Sequence, residues 1–313
     1  MTAAVVIPNL DGERWLEGCL DSLAAQTVAP ARIVVVDNGS SDGSLALLRD
    51  RYPHVQAIPL GRNTGFAAAV NRGVAAVEDE AVAMLNTDVM LAPDWLERMT
   101  GALARDSRTG AVACKMLDMR DPGLIYDAGD ILRRDGVCEQ RGRFERDVGA
   151  FDEPGEVFAA CAGAALYRRS ALADVGGFDE RFFIYLEDVD IGLRLALRGW
   201  RCAYEPVVAR HASGGSSAQL ARSPLGWVER NTLLLAAKAF PLRWAPQVAY
   251  RQLAWAWHAA RDRRLGAHLR AAASAAPRLP AMLRERRRLH ATAAVPVSSV
   301  IPARPIRASQ GAR

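Results

Sequence analysis

The sequence predicts an α/β fold built on a mostly parallel sheet with helices on both faces. Three observations predict it. Short apolar runs alternate with segments of helical periodicity through the first half of the chain. Each run is apolar at consecutive positions, as a strand buried on both faces must be. Half of the 313 residues are hydrophobic, enough for a sizeable core.

The elements follow in order. AAVVIP (3–8) reads as a strand, and Leu16, Leu20 and Leu23 after it fall at helical spacing. RIVVVD (32–37) is β-branched, and the Ser and Asp of GSSDGS offer a cap to a helix over LALLRDRY. VQAIPL (55–60) precedes NTGFAAAVNRGVAAV, whose small residues suit a helix pressed close to a sheet. AVAMLN (81–86) precedes APDWLERMTGALA, with Pro93 near the helix start. From 115 to 157 the pattern dissolves into Gly, Asp and Arg, which predicts long loops or short strands over the sheet. VFAACAGAALYRRSAL (157–172) restores a buried strand and a helix start. DVDIGLRLALRGW is a helix ended by Gly199, CAYEPVV a last strand, and PLGWVERNTLLLAAKAF (224–240) a further helix.

Charge divides the chain. Residues 1–240 hold 26 Lys and Arg against 33 Asp and Glu, while residues 241–313 hold 14 Arg against Asp262 and Glu285. An acidic body with a basic tail predicts an anionic partner for the tail. Cys19, Cys114, Cys138, Cys161 and Cys202 are far apart and odd in number, with no zinc-like spacing, so reduced thiols are expected. AVVIP is too short for a signal-peptide core, and the longest uncharged stretch, 289–303, contains two prolines. The expected location is the cytoplasm, with the inner face of the cell membrane as a surface the protein can rest on.

Ligands of open parallel sheets bind outside the carboxyl ends of the strands. Here those ends carry Asn9 and Asp11, Asp37 and Asn38, Arg62 and Asn63, then Asn86 and Asp88. Singly these are ordinary turn residues. Together they describe a polar cleft. Neither a GxGxxG fingerprint nor a GxxxxGK[ST] loop is present. A carboxylate-rich cleft repels phosphates unless a divalent cation stands between, and Asp88, after a buried strand, is placed to hold one. His211, after the last strand, could complete the coordination or be structural; spacing leaves both open.

VVIPNLDGERWLEGCLDSLAAQT, VVVDNGSSDGS, GRNTGFAAAVNRG, MLNTDV, AGAALYRRSALADVGGFDERFFIYLEDVDIGLRLALRGW and RHASGGSS, in that order over residues 3–240, resemble the family 2 glycosyltransferases. Within that family they look most like bacterial rhamnosyltransferase-type enzymes of polysaccharide assembly. The resemblance implies a GT-A fold. It implies a nucleotide-sugar-binding half over 1–115 and an acceptor-binding, catalytic half over 116–222. A helical basic appendage over 223–290 and a disordered tail over 291–313 are expected to follow.

Residue by residue, the resemblance makes Pro8 and Asn9 the floor of the nucleoside site. Asp37 would hold the base or ribose, with Arg62 and Asn63 beside the nucleotide. NTD at 86–88 stands where the family has its metal motif, so Asp88, with His211, would ligate Mg²⁺ or Mn²⁺. Asn86 replaces the motif's first acid, which implies a weaker cation site or a hydrogen bond to ribose or sugar instead. In LED (186–188), Asp188 matches the family's catalytic base, and Glu187 beside it caps a helix, contacts the acceptor or holds a loop. The aromatic residues before it would wall off water and raise the base's pKa by desolvation. Asp190, four residues before Arg194, has the spacing of a helical ion pair.

The implied reaction is an inverting transfer of a sugar, rhamnose first, from a dTDP- or UDP-linked donor to a glycan or lipid-linked acceptor. A sugar nucleotidyltransferase and a non-catalytic glycan-binding relative are the alternatives. The former needs a basic Gly-rich loop that NLDGERW does not supply. The tryptophans and arginines of 241–290 suit an anionic membrane surface, although the aromatics of 247–270 do not fall on one helical face. The acidic body argues against nucleic acid.

Overall fold

A computed structural model describes residues 1–212 and 224–303. The SGGSS part of the RHASGGSS motif and the end of the basic tail lie outside the described residues. The first half alternates as the sequence predicts, through β1 (Ala3–Asn9), α1 (Glu13–Ala24), β2 (Arg32–Asp37), α2 (Ser44–Arg51), β3 (Gln56–Pro59), α3 (Phe66–Val74) and β4 (Ala81–Leu85). β5 (Val89–Leu91), α4 (Trp95–Ala104) and β6 (Thr109–Asp118) follow. The irregular stretch resolves into the short strands β7 (Ile125–Asp127), β8 (Asp130–Leu132), β9 (Cys138–Gln140) and β10 (Gly155–Val157). β11 (Ala164–Arg168), α5 (Arg169–Val175), α6 (Glu187–Leu197) and β12 (Arg201–His211) complete the sheet region.

The main sheet runs β10-β12-β6-β11-β4-β1-β2-β3. β1, β2, β3 and β4 are mutually parallel, as are β6 and β12, while β11 is inserted antiparallel between β4 and β6. β1 shows why its sequence is apolar at every position. Val5 and Ile7 face the cluster built with α1 and α4, whereas Ala4 and Val6 face the one built with α3, α5 and α6. β3, at the sheet edge, is largely exposed and is the exception among the early strands.

α6 is apolar on two sides for a structural reason. Ile191 and Leu195 pack toward the sheet. Val189, Leu193 and Leu197 pack on Leu234 and Leu235 of α7 (Pro224–Ala239). Beyond α7 come α8 (Ala245–Arg261), α9 (Leu265–Ala273), α10 (Leu279–Thr292) and α11 (Val297–Val300). Val297 and Ile301 are buried in the same cluster, so residues 291–303 pack against the body where the sequence suggests disorder. Two spaced apolar side chains and hydrogen bonds to backbone, Ala294 N–H to Leu197 C=O at 2.7 Å and Arg134 Nε to Ile301 C=O at 3.1 Å, dock that short segment. Among the described residues, no helix is long and apolar enough to cross a membrane.

Candidate active site

Strand register builds the site. Asn9 and Asp37 are paired neighbours at the carboxyl ends of β1 and β2. The Asn9 Nδ2 donates to Asp37 Oδ1 at 3.1 Å, and Asp37 Oδ2 accepts from the backbone N–H of Ser40 at 3.1 Å. Asp37 is therefore buried behind the cleft, organising Asn9 and the following turn. Asn38 performs the same service for the next loop: its Oδ1 accepts from the N–H and hydroxyl of Thr64 at 2.8 and 2.9 Å.

A cavity of 540 Å³ opens at this edge. Pro8, Asn9, Asn63, Asn86, Asp88, Glu187, Asp188 and His211 all line it. Two residues expected at the site do not. Asp37 stands behind Asn9, as above. Arg62 lines an adjoining surface depression with Asn71, Arg72 and Glu180, while its neighbour Asn63 lines both.

β5 pairs antiparallel with β12, setting His211 opposite Val89. His211 Nε2 thereby lies 3.4 Å from Asp88 Oδ1. Two ligands about 2.1 Å from one small cation at octahedral to tetrahedral angles stand about 3–3.4 Å apart, so the pair fits a shared Mg²⁺ or Mn²⁺. Burial, opposed by the charge of Asp88, lowers the His211 pKa and favours the neutral imidazole that ligation requires. Its Nδ1 is buried without a hydrogen-bond partner among the described residues, and its ring lies 4.2 Å from that of Tyr126. Among the described residues no set of three His, Cys, Asp or Glu side chains forms a self-sufficient metal cage. The pair fits a cation that takes its remaining oxygens from water or from a ligand in the cavity.

Asp188 lines the same cavity from the first turn of α6. Its Oδ2 accepts from Ala162 N–H at 3.2 Å and its Oδ1 from Val189 N–H at 2.9 Å. Burial raises its pKa against these backbone bonds. Glu187 is buried, its Oε2 without a partner among the described residues, and burial plus the Asp188 charge push its pKa well above its ordinary value. Asp190 turns away and pairs with Arg194 at 2.7 Å and Lys238 at 2.6 Å, so the expected ion pair is present with a second cation.

The loop presenting Asp188 is held in an unusual conformation. Phe183, Tyr185 and Leu186 all have φ near the left-handed region, at 67°, 67° and 65°. Each such non-glycine residue costs on the order of 1 kcal/mol or more, so its surroundings must hold it. Asn231 of α7, fully buried, donates to the carbonyls of Phe182, Ile184 and Tyr185 at 3.0, 2.9 and 2.6 Å. Arg230 adds bonds to the carbonyls of Arg181 and Phe182. On the other side Gly65, with φ 90°, lets the loop approach; a Cβ there would come within 2.5 Å of the Phe183 ring.

Sequence reasoning missed this clamp and the third wall. Glu229, Arg230, Asn231 and Thr232 are four consecutive buried polar residues in the middle of a helix that is apolar elsewhere apart from Lys238. The third wall comes from the short strands. Asp130, Gln140, Arg143 and Tyr126 line the cavity there, and the Arg143 guanidinium lies 4.3 Å over the Tyr126 ring. Asp127, behind them, is pushed up to about 7 by burial, against its bond from Gly129 N–H.

The sequence matches the family model for glycosyl transferase family 2 over residues 4–176. It is 33% identical over 263 residues to the N-acetylglucosaminyl-diphospho-decaprenol L-rhamnosyltransferase of Mycobacterium tuberculosis, covering 73% of this chain and 84% of that one. The mannosyltransferase PcManGT from Pyrobaculum calidifontis, in complex with GDP-Man and Mn²⁺, superposes with TM-score 0.53 and 20% identity over 93% of this chain and 85% of that one. GalNAc-T7 with UDP, GalNAc and Mn²⁺ superposes with TM-score 0.60 and 16% identity over 76% of this chain. This chain spans about half of GalNAc-T7, 48%. The two structural likenesses are of fold, the GT-A type.

Proposed function

We propose a specific reaction for this chain, which belongs to the family 2 glycosyltransferases and is rhamnosyltransferase-like. It is an inverting, divalent-metal-dependent transfer of a sugar, rhamnose first, from a dTDP- or UDP-linked donor to a lipid-linked or glycan acceptor of the cell envelope. One observation carries the reading: the Asp88–His211 pair and Asp188, remote from each other in the chain, line a single cavity. Family membership removes the sugar nucleotidyltransferase alternative.

Residues 1–115 then bind the donor, with Pro8, Asn9, Asn63 and Asn86 along the nucleotide and Asp37 acting through Asn9. Asp88 and His211 would hold Mg²⁺ or Mn²⁺, which when bound neutralises charge on the departing nucleoside diphosphate. Arg143 has no carboxylate partner among the described residues and supplies a second positive charge to the same anion. Residues 116–222 bind the acceptor. Asp188 takes the proton of the acceptor hydroxyl as that oxygen bonds to the anomeric carbon. The bond from that carbon to the phosphate oxygen breaks on the opposite side, its electron pair leaving with the nucleoside diphosphate, so configuration inverts.

The Mycobacterium tuberculosis relative is named for a decaprenol-linked acceptor, which supports work at the inner face of the cell membrane. The test is nucleoside diphosphate release from a panel of sugar nucleotides with Mn²⁺, with and without a polyprenyl-diphosphate-N-acetylglucosamine acceptor. Release from dTDP-rhamnose that requires acceptor and metal is the expected result. Absence of release from any donor, with glycan binding retained, would favour the non-catalytic relative.

A further inference from the structure

Three of the exposed apolar side chains of the C-terminal helices share one face. On α8, Tyr250, Leu253 and Trp257 are 72%, 70% and 66% exposed. Their spacing of three and four residues puts them on one helix face. The opposite face carries Val248 and Ala259, both buried, with Trp255 partly buried between them. The aromatics of this stretch fail to share a face because Trp255 turns inward, while the apolar groups that remain outside do share one.

Arginines frame that face. Arg243 precedes the helix, and Arg261, Arg263 and Arg264 close it, all exposed. Arg261 follows Trp257 by one turn on the same face. α9, which packs on α8, adds exposed Leu265 and Leu269 beside exposed Arg270.

We infer that the Tyr250–Leu253–Trp257 face of α8 is a docking surface for an anionic lipid bilayer. The apolar side chains enter the headgroup and acyl boundary, and the flanking guanidiniums meet lipid phosphates. Arginine and tryptophan together suit that boundary, where one end of each side chain is apolar and the other polar. A second copy of this chain is the less suitable occupant. Its own arginine frame would be brought against this one, and three side chains fall well short of the roughly 800 Å² per partner of a stable interface. The bilayer role deepens the lipid-linked acceptor reading, yet binding itself is independent of it.

The experiment is flotation of the full chain with vesicles of phosphatidylglycerol and phosphatidylcholine, and with phosphatidylcholine alone. The chain should float with the anionic vesicles, less so at high salt, and stay behind with the neutral ones. The double variant Leu253→Glu, Trp257→Glu should lose partitioning roughly 100-fold while keeping its thermal midpoint, since both positions are exposed. No flotation of the unaltered chain, or equal flotation of the double variant, overturns the inference. So does a dimer in light scattering that the double variant dissolves, which assigns the face to a second copy. Donor turnover with a water-soluble acceptor, measured alongside, separates the two readings. Vesicle binding without turnover of any donor leaves the surface standing and removes the reaction.

Discussion

Asp88 Oδ1 and His211 Nε2 lie 3.4 Å apart although they are remote from each other in the chain. The short β5 makes this possible. It follows Asp88 directly, pairs antiparallel with β12, and is locked at its end by Ala212 N–H donating to Asp88 C=O at 2.9 Å. The pair is thus fixed by backbone, before any ligand arrives.

Asp88→Ala and His211→Ala should each reduce transfer by about 100-fold or more. The same variants should lose the thermal stabilisation that donor nucleotide with Mn²⁺ gives the unaltered chain. Full metal-dependent stabilisation of the His211 variant would assign the histidine to structure.

Asp188→Asn removes the base and keeps the shape. Transfer should fall by about 10³-fold, within the range of general-base losses, while donor affinity holds. In the unaltered enzyme, kcat/KM should rise with pH as Asp188 ionises. Because burial raises its pKa, that limb should lie above the pH of about 4 at which an exposed aspartate titrates. A pH profile flat from 4 upward would contradict this assignment.

Asn231→Ala touches no substrate in this reading. It strips one donor from three carbonyls of the strained loop, and should cost about 2–3 kcal/mol of stability. The position of Asp188 loosens with it, so kcat should fall about tenfold or more while the donor KM changes little. Denaturant unfolding and steady-state kinetics on one preparation check both halves. An unchanged kcat would make the clamp purely structural.

Asp127 titrates near 3.9 in an unfolded chain and at about 7 when folded. Between those values the folded protein holds a proton that the unfolded chain has released. Stability therefore declines as pH rises through that window and is flat above it. Asp127→Asn cannot ionise and keeps an oxygen for Gly129 N–H, so it should stabilise the protein at pH 8 by up to about 4 kcal/mol, and far less at pH 4. Thermal midpoints of both proteins at the two pH values decide it; an equal gap at both removes Asp127 as the cause.

Lys238 is buried and bridges Asp179 and Asp190, at 2.7 and 2.6 Å. Against the pull of burial, Arg181 and Lys238 hold the Asp179 carboxyl well below its usual range. Lys238→Met leaves two buried carboxylates short of a cation and should destabilise by about 3–5 kcal/mol, readable as a shift in the urea midpoint. A loss under about 1 kcal/mol would show that the remaining arginines suffice.

The sequence by itself determined the alternation of strands and helices and the polar carboxyl edge that holds Asp88. These follow from periodicity and composition, which are local properties of the chain. It also carried the Asp190–Arg194 pair, set by a single helical turn. Asp188 was legible only through the family resemblance of its motif. The family resemblance paired His211 with Asp88, which spacing alone left open; only the tertiary structure decided that Arg62 leaves the cavity and Asp37 stands behind it, and that Asn231 holds the Asp188 loop. Each of these depends on which strand pairs with which and on which helix closes over a loop. Those pairings join residues remote in sequence, where no spacing rule reaches. The same holds for α8: composition supplied its tryptophans and arginines, but burial of Val248 and Ala259 chose which face was left for solvent.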